Sequence, residues 1–236
     1  MLYRGYSNVA SFYDIIRMMK YLLIGLCLFF DIIYIVCKER KKNVVGLFAK
    51  TLAAFCFITI GYMNYLQTKS NFSYFILLGL IFDGIGDLFL ALRNLFAKNV
   101  TFLIGSISFL VGHVLFIKAL LLLYNSYILT CIVGGIIGGS ILFYLFDRTC
   151  HFSKVFTIVG ISYLIIILIM VLLAVGTYIT SQTIERMIFM IGAVLFVSSD
   201  IVLVLYNFSK KEKWMHPVYS LLYFVAQIFI SFSLHI

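Results

Sequence analysis

Long apolar runs alternate with short polar interruptions along the whole chain. About twenty apolar residues cross a bilayer as a helix. On that rule eight spans are predicted: 18–37, 44–66, 73–92, 100–123, 126–146, 155–179, 184–208 and 215–235. The connections are short, so consecutive helices should be antiparallel neighbours, and no loop leaves room for a separate soluble domain. Residues 1–16 are too polar to span and read as a short interfacial N-terminal segment, with Tyr3, Tyr6, Phe12 and Tyr13 set against Arg4 and Asp14. The expected fold class is an all-α polytopic membrane protein, a bundle of eight transmembrane helices forming one domain over residues 1–236.

Composition agrees with this pattern: 64% of the 236 residues are hydrophobic and 11% charged, where soluble domains are nearer one-quarter charged. A net charge of +9 would point to nucleic acid in a soluble chain. Here the cations collect in loops between apolar runs, so no nucleic-acid partner is expected and the partner is the lipid bilayer with its anionic headgroups. Lys38, Arg40, Lys41, Lys42, Arg93, Lys98, Arg148, Lys154, Lys210, Lys211 and Lys213 fall in the odd loops, and the even loops hold little beyond Lys69. The odd loops are therefore expected to be cytoplasmic, although Arg17 and Lys20 at the start of the first span pull the other way. The membrane would be the cytoplasmic one in a bacterium, or the endoplasmic reticulum or another endomembrane in a eukaryote.

Cys27, Cys56 and Cys131 lie inside spans, with Cys37 and Cys150 near span ends; the spacing suggests neither disulfides nor a zinc knuckle. The first apolar run is followed by "CKERKK" rather than a small-residue cleavage site, so it is expected to stay as an anchor. Pro217 opens the eighth helix, where a missing N–H costs nothing. Gly134, Gly135, Gly138 and Gly139 give the fifth helix a small-residue face for close helix packing. "GLIFDGIGDLFLALRN" from Gly79 echoes "GAVLFVSSDIVLVLYN" from Gly192, aligning Asp87 with Asp200 and Asn94 with Asn207. The echo is consistent with a parallel four-plus-four internal repeat.

Polar residues inside the spans change the picture most. At about 1.5 Å per residue from the odd-loop end, Asp87 lies about 8 Å deep, Lys50 about 9 Å, and Asp200, Tyr163 and Tyr223 about 12 Å. Asp83 follows at about 14 Å, with Gln227 and His113 at roughly 18 to 20 Å. Six helices thus contribute to one band, which suggests a shared cavity. Asp83 and Asp87 share a helix face; Phe196, Ser199 and Asp200 share another; Tyr219, Tyr223, Gln227 and Ser231 form a polar stripe on the eighth helix. Each has an ordinary reading too. Asp31 and Lys118 fall near helix ends and read as structural, Lys50 is within snorkelling reach, and a lone membrane histidine is commonly a packing residue. Asp87 and Asp200 are too deep for a one-carbon stem to reach water, so function is the better explanation.

Two carboxyls facing one cavity suit acid–base chemistry. Apolar surroundings and a neighbouring carboxyl both favour the protonated form of an acid, so one member could donate a proton while the other stays ionised. No serine elbow, P-loop or HExxH is visible, and only His113 of the four histidines is placed inside the band, so neither metal nor cofactor is expected. The same acids would also serve a proton-coupled carrier of small solutes or lipids, with Gly84 and Gly86 able to unwind a helix. A lipid-binding or receptor-like protein without catalysis is a third class.

"GLIFDGIGDLFLAL", "FLIGSISFLVGHVLFI", "IGAVLFVSSDIVLVLYNF" and "YFVAQIFISFS", in that order, resemble the signature blocks of the YhhN/TMEM86 family of membrane lysoplasmalogenases. The resemblance covers the third to eighth helices, with Lys50 and the Tyr163–Met170–Ala174 face agreeing more loosely. One departure is Asp83, where the family pattern "FSxxGD" carries a small hydroxyl residue. The resemblance implies hydrolysis of the vinyl ether bond of lysoplasmalogen to a fatty aldehyde and glycerophosphoethanolamine or glycerophosphocholine. Asp87 and Asp200 would then be catalytic. Asp83, His113, Tyr163, Ser199, Tyr223 and Gln227 would support them, and Lys50 would meet the phosphate of the lysophospholipid.

Overall fold

In a computed structural model the chain forms an all-helical bundle, and the structure describes residues 2–93, 95–96, 98–123, 125–149, 154–209 and 211–235. Side chains are described from residue 14 onward, other than 98, 154–156 and 235. The helices are α1 (Leu2–Glu39), α2 (Asn43–Thr68), α3 (Asn71–Leu92), α4 (Lys98–Leu121), α5 (Ile128–Thr149), α6 (Lys154–Thr180), α7 (Ile184–Phe208) and α8 (Met215–Phe232). Among the described residues eight helices are long and apolar enough to cross a membrane, from Asp14–Glu39 to Met215–Phe232. The bounds fall within a few residues of those expected. Helix α1 begins at Leu2, well before its apolar span; the side chains of residues 1–13 lie outside the described residues, and Asp14 pairs with Arg17 at 2.7 Å.

Local chemistry sets the ends. Ser70 caps α3 by accepting from the Ser73 N–H, while the Ser73 hydroxyl accepts from the Ser70 N–H, a reciprocal capping box. Thr183 caps α7 through the Arg186 N–H. Pro217 occupies the third position of α8, within the first turn. Beyond Phe232 the chain tightens into a short 3-10 turn, Ser233–His235.

Each odd helix packs on the even helix that follows it, and α8 also contacts α1, α2 and α3. That central position makes α8 the most buried span and explains why its polar stripe turns inward. Small residues bring α3 and α4 close. A methyl group at Gly79 would strike the Phe116 ring, one at Gly86 the Phe109 ring, and one at Gly112 the Asp83 carboxylate. The fifth-helix glycines behave as expected of packing residues, since Gly135 and Gly139 sit against the backbone of Ile169 and Ile165 in α6. Gly192 of α7 likewise seats Ile230 of α8, matching the way Gly79 of α3 seats Phe116 of α4. Asn94, which the echo aligns with Asn207, lies outside the described residues.

Cys27, Cys37, Cys56 and Cys131 are buried free thiols, while Cys150 lies outside the described residues. Lys118 extends to the bundle surface with its ammonium 4.3 Å from the Phe75 ring centroid, the structural role expected. Helix α3 continues unbroken through Gly84 and Gly86. Gly84 gives Ile58 of α2 room and Gly86 gives Phe109 of α4 room, so both serve helix contact.

Candidate functional site

The deep polar residues form two hydrogen-bonded arms. In the first, Lys50 of α2 places its Nζ 2.9 Å from Asp87 Oδ1 of α3. Tyr223 of α8 donates its hydroxyl to Asp87 Oδ2 at 2.7 Å. One turn deeper, Gln227 Nε2 donates to Asp83 Oδ2 at 2.7 Å and to the Tyr223 oxygen at 3.2 Å. The arm is thus Lys50–Asp87–Tyr223–Gln227–Asp83, held by three helices. Its polarity is ordered, because a tyrosine that donates to the carboxylate still has lone pairs to accept from the amide.

The second arm is carried by α4, α6 and α7. Tyr163 donates to Asp200 Oδ2 at 2.6 Å, and His113 Nε2 lies 3.1 Å from the Tyr163 oxygen. Since the phenol proton is committed to Asp200, His113 donates through Nε2 in this arrangement, leaving Nδ1 as the lone-pair nitrogen. Nδ1 has no partner among the described residues. Phe196 packs edge-on against both His113 and Tyr223, with ring centroids at 4.7 and 5.3 Å, and so ties the arms together.

Between the arms lies a small polar cavity of about 50 Å³, lined by both Asp87 and Asp200. Lys50, Ser199 and Tyr223 also face it. Asp200 lines a second, apolar cleft of about 80 Å³ as well, built by Phe143 of α5, Val159, Gly160 and Leu164 of α6, and Val204 and Phe208 of α7. Leu90, Phe102, Phe109 and Leu203 border both spaces, so the polar cavity and the cleft meet at Asp200. This is the geometry of a site with a polar end, an apolar end and a carboxyl at the junction.

The structure brings the expected residues together with some changes of partner. Lys50, expected to meet a phosphate, is an ion-pair partner of Asp87. Ser199 lines the cavity, but its hydroxyl donates to the Tyr219 carbonyl and so fastens α7 to α8. Asp83, His113 and Gln227 stand behind the cavity wall rather than on it. Asp83 is fully buried, and its Oδ1 has no hydrogen-bond partner among the described residues.

Asp31 does not behave as a residue at a helix end. It is fully buried, and Ser220 donates to its Oδ1 at 2.5 Å from a position that lines the cavity. The depth rule could have found it. Six residues before the expected end of the first span is about 9 Å, as deep as Lys50. Tyr34, Lys38, Arg93, Tyr206 and Asn207 also line the cavity and were not singled out as site residues. Arg93 is the most informative of these, and only the fold reveals its neighbours. His216 is buried among the rings of Tyr34, Tyr206 and Tyr219, whereas His151 and the His235 side chain lie outside the described residues. Among the described residues no three His, Cys, Asp or Glu side chains gather as metal ligands do.

Comparison with known proteins gives one match. The model of the YhhN family covers residues 45–234, which include α3 to α8, nearly all of α2 and every residue of both arms. Helix α1, with Asp31, Tyr34 and Lys38, precedes the matched segment. No curated protein and no solved structure matches the chain.

Proposed function

We propose that this chain, which belongs to the YhhN family, is a membrane hydrolase that cleaves the vinyl ether bond of lysoplasmalogen. Family membership is consistent with a hydrolase of that kind. The observation that carries the finer reading is the cavity shared by Asp87 and Asp200, with the apolar cleft joining it at Asp200.

The environments divide the work between the acids. Asp87 has the Lys50 ammonium at 2.9 Å and a phenol donor at 2.7 Å, and both favour the carboxylate. Asp200 has one neutral donor, Tyr163, and among the described residues no cation within ion-pair distance. Asp200 is therefore the general acid and Asp87 the carboxylate. A protonated Asp200 can donate to the Tyr163 oxygen, whose own proton then turns to His113 Nε2. The second arm thus accommodates either protonation state by rotating hydroxyls and exchanging the histidine tautomer.

The substrate lies with its hydrocarbon tail in the cleft and its glycerophospho end in the polar cavity. Asp200 protonates the alkene carbon remote from oxygen, and the alkene electron pair forms the new C–H bond. The resulting oxocarbenium ion is stabilised by the Asp87 carboxylate, which takes a proton from the attacking water. The hemiacetal then breaks its bond to the glycerol oxygen, which takes the proton held by Asp87, while the hemiacetal hydroxyl returns its proton to Asp200 as the aldehyde forms. The sum is RCH=CH–OR′ + H₂O → RCH₂CHO + R′OH.

Purified protein given 1-alkenyl lysophosphatidylethanolamine should release fatty aldehyde, trapped as a hydrazone and counted by mass spectrometry. Asp200→Asn should lower turnover by about 10²- to 10⁴-fold, the usual range for removing a positioned acid. Absence of aldehyde from the unaltered protein would overturn the reaction. Normal turnover by folded Asp200→Asn would remove Asp200 from it.

A further inference from the structure

Four helix ends meet at the mouth of the polar cavity: the last turns of α1 and α7, the first turns of α4, and the residue that follows α3. The side chains there are Lys38, Arg93, Phe102, Tyr206 and Asn207. Arg93 is held in a defined pose. Its guanidinium carbon lies 4.6 Å from the Phe102 ring centroid, and Nη1 donates to Asn207 Oδ1 at 2.6 Å. Asn207 is fixed in turn, because its Nδ2 donates to the Leu203 carbonyl at 2.8 Å and so commits Oδ1 to the arginine.

We infer that Arg93 is the anchor of a phosphate subsite at the mouth of this cavity, taking the phosphate of a single-chain lipid headgroup or of a free phosphate ester. The inference rests on the hydrolase reading of the same cavity for its biological meaning, but its chemistry is independent of catalysis. A guanidinium carries five N–H donors, and Asn207 uses one of them among the described residues. The remaining planar donors match the spacing of phosphate oxygens, and the stacked, hydrogen-bonded pose reduces the ordering cost of binding. Lys38 lines the same mouth and adds positive charge.

Position argues for Arg93 over Lys50. The Lys50 ammonium is 5.4 and 5.9 Å from the Tyr34 and Tyr223 ring centroids and ion-paired with Asp87. Drawing it to a phosphate would strip the buried Asp87 carboxylate of its partner, a costly exchange. Arg93 follows Leu92, at the end of the membrane span, where lipid phosphates reside. Asp87 lies six residues earlier on the same helix, about 9 Å along its axis. The unit from the phosphate through glycerol to the alkene is of comparable length when extended, which would set the phosphate at Arg93 and the ether bond among the acids.

The test is binding of lipids to the full chain in detergent, measured by calorimetry for the unaltered protein, Arg93→Gln and Arg93→Lys. The probes are lysophosphatidylcholine, a monoacylglycerol of the same chain length, glycerophosphocholine and inorganic phosphate. Arg93→Gln should weaken lysophosphatidylcholine by about ten- to a hundredfold and leave monoacylglycerol unchanged. Arg93→Lys, which keeps the charge and loses the fork, should fall between. If glycerophosphocholine or phosphate alone binds and is weakened alike, the subsite serves the free ester. If they fail to bind, it serves the lipid headgroup. Equal affinity of Arg93→Gln and the unaltered protein for lysophosphatidylcholine, or equal loss for both lipids, would overturn the subsite. Failure of the hydrolase reading registers separately, as absent aldehyde release with the binding pattern intact.

Discussion

Replacing Lys50 by methionine tests whether the buried pair is a unit. The two side chains are 6% and 1% exposed, so neither charge has water to fall back on. At 2.9 Å their attraction is about 6 kcal/mol at an effective dielectric of about 20. Desolvation of both ions offsets much of that, so the pair as a whole contributes little to stability. Losing one partner is different, because the surviving charge stays buried without compensation. Lys50→Met should destabilise the fold by about 3–5 kcal/mol. Adding Asp87→Asn removes the stranded carboxylate and keeps an acceptor for the Tyr223 hydroxyl. The double variant should therefore recover to within about 1–2 kcal/mol of the unaltered protein. Reversible unfolding in mixed micelles, followed by helical circular dichroism, measures all four members of the cycle. Additive losses, with the double variant as unstable as the singles combined, would refute the reading that Lys50 and Asp87 form one electrostatic unit.

Tyr163→Phe removes the donor to Asp200 and cuts His113 from the acid, so aldehyde release should fall by about ten- to a hundredfold and its pH profile should shift, read by turnover across pH 5–9. Ser220→Ala leaves Asp31 without its hydroxyl donor inside the bundle; it should cost about 1–3 kcal/mol in the same unfolding assay, with Asp31→Asn in that background recovering part of it. Gly160→Leu fills the apolar cleft beside Phe143. It should raise KM for long-chain substrates more than for short-chain ones in a chain-length series, and an equal change for both would place the tail elsewhere.

The lipid-facing surface of the bundle explains why the spans were legible. Hydrocarbon offers no hydrogen bonds, so each crossing must be a continuous helix some twenty residues long, and that requirement is written directly in the apolar runs. Large side chains such as Phe48, Phe55, Leu129 and Ile158 remain on the outside of the bundle. No inward-facing apolar stripe had to be recognised. The ends were less sharp, because they depend on caps such as the Ser70–Ser73 box and on loop geometry.

The acids were legible for a related reason. A carboxyl deep in an apolar run is costly, and cost flags purpose. Depth put Asp83, Asp87, Asp200, His113, Tyr163, Tyr223 and Gln227 in one band, because depth along a helix is a one-dimensional quantity that a sequence contains. Angle between helices is not. That Lys50 pairs with Asp87 followed from how α2, α3 and α8 close on one another. The depth of Asp31 was readable in the same way, but its partner was not, since α8 supplies Ser220 across the bundle.

From its residues alone this chain fixed how many times it crosses the bilayer and which polar groups must avoid lipid. Both follow from the energetics of moving a group into hydrocarbon, a property of each segment by itself. Only the assembled bundle decided which groups meet. Hydrogen bonds and ion pairs act over a few ångströms, and residues 50, 87 and 223 come within that range only when three helices pack. The same packing let a polar cavity and an apolar cleft converge on Asp200.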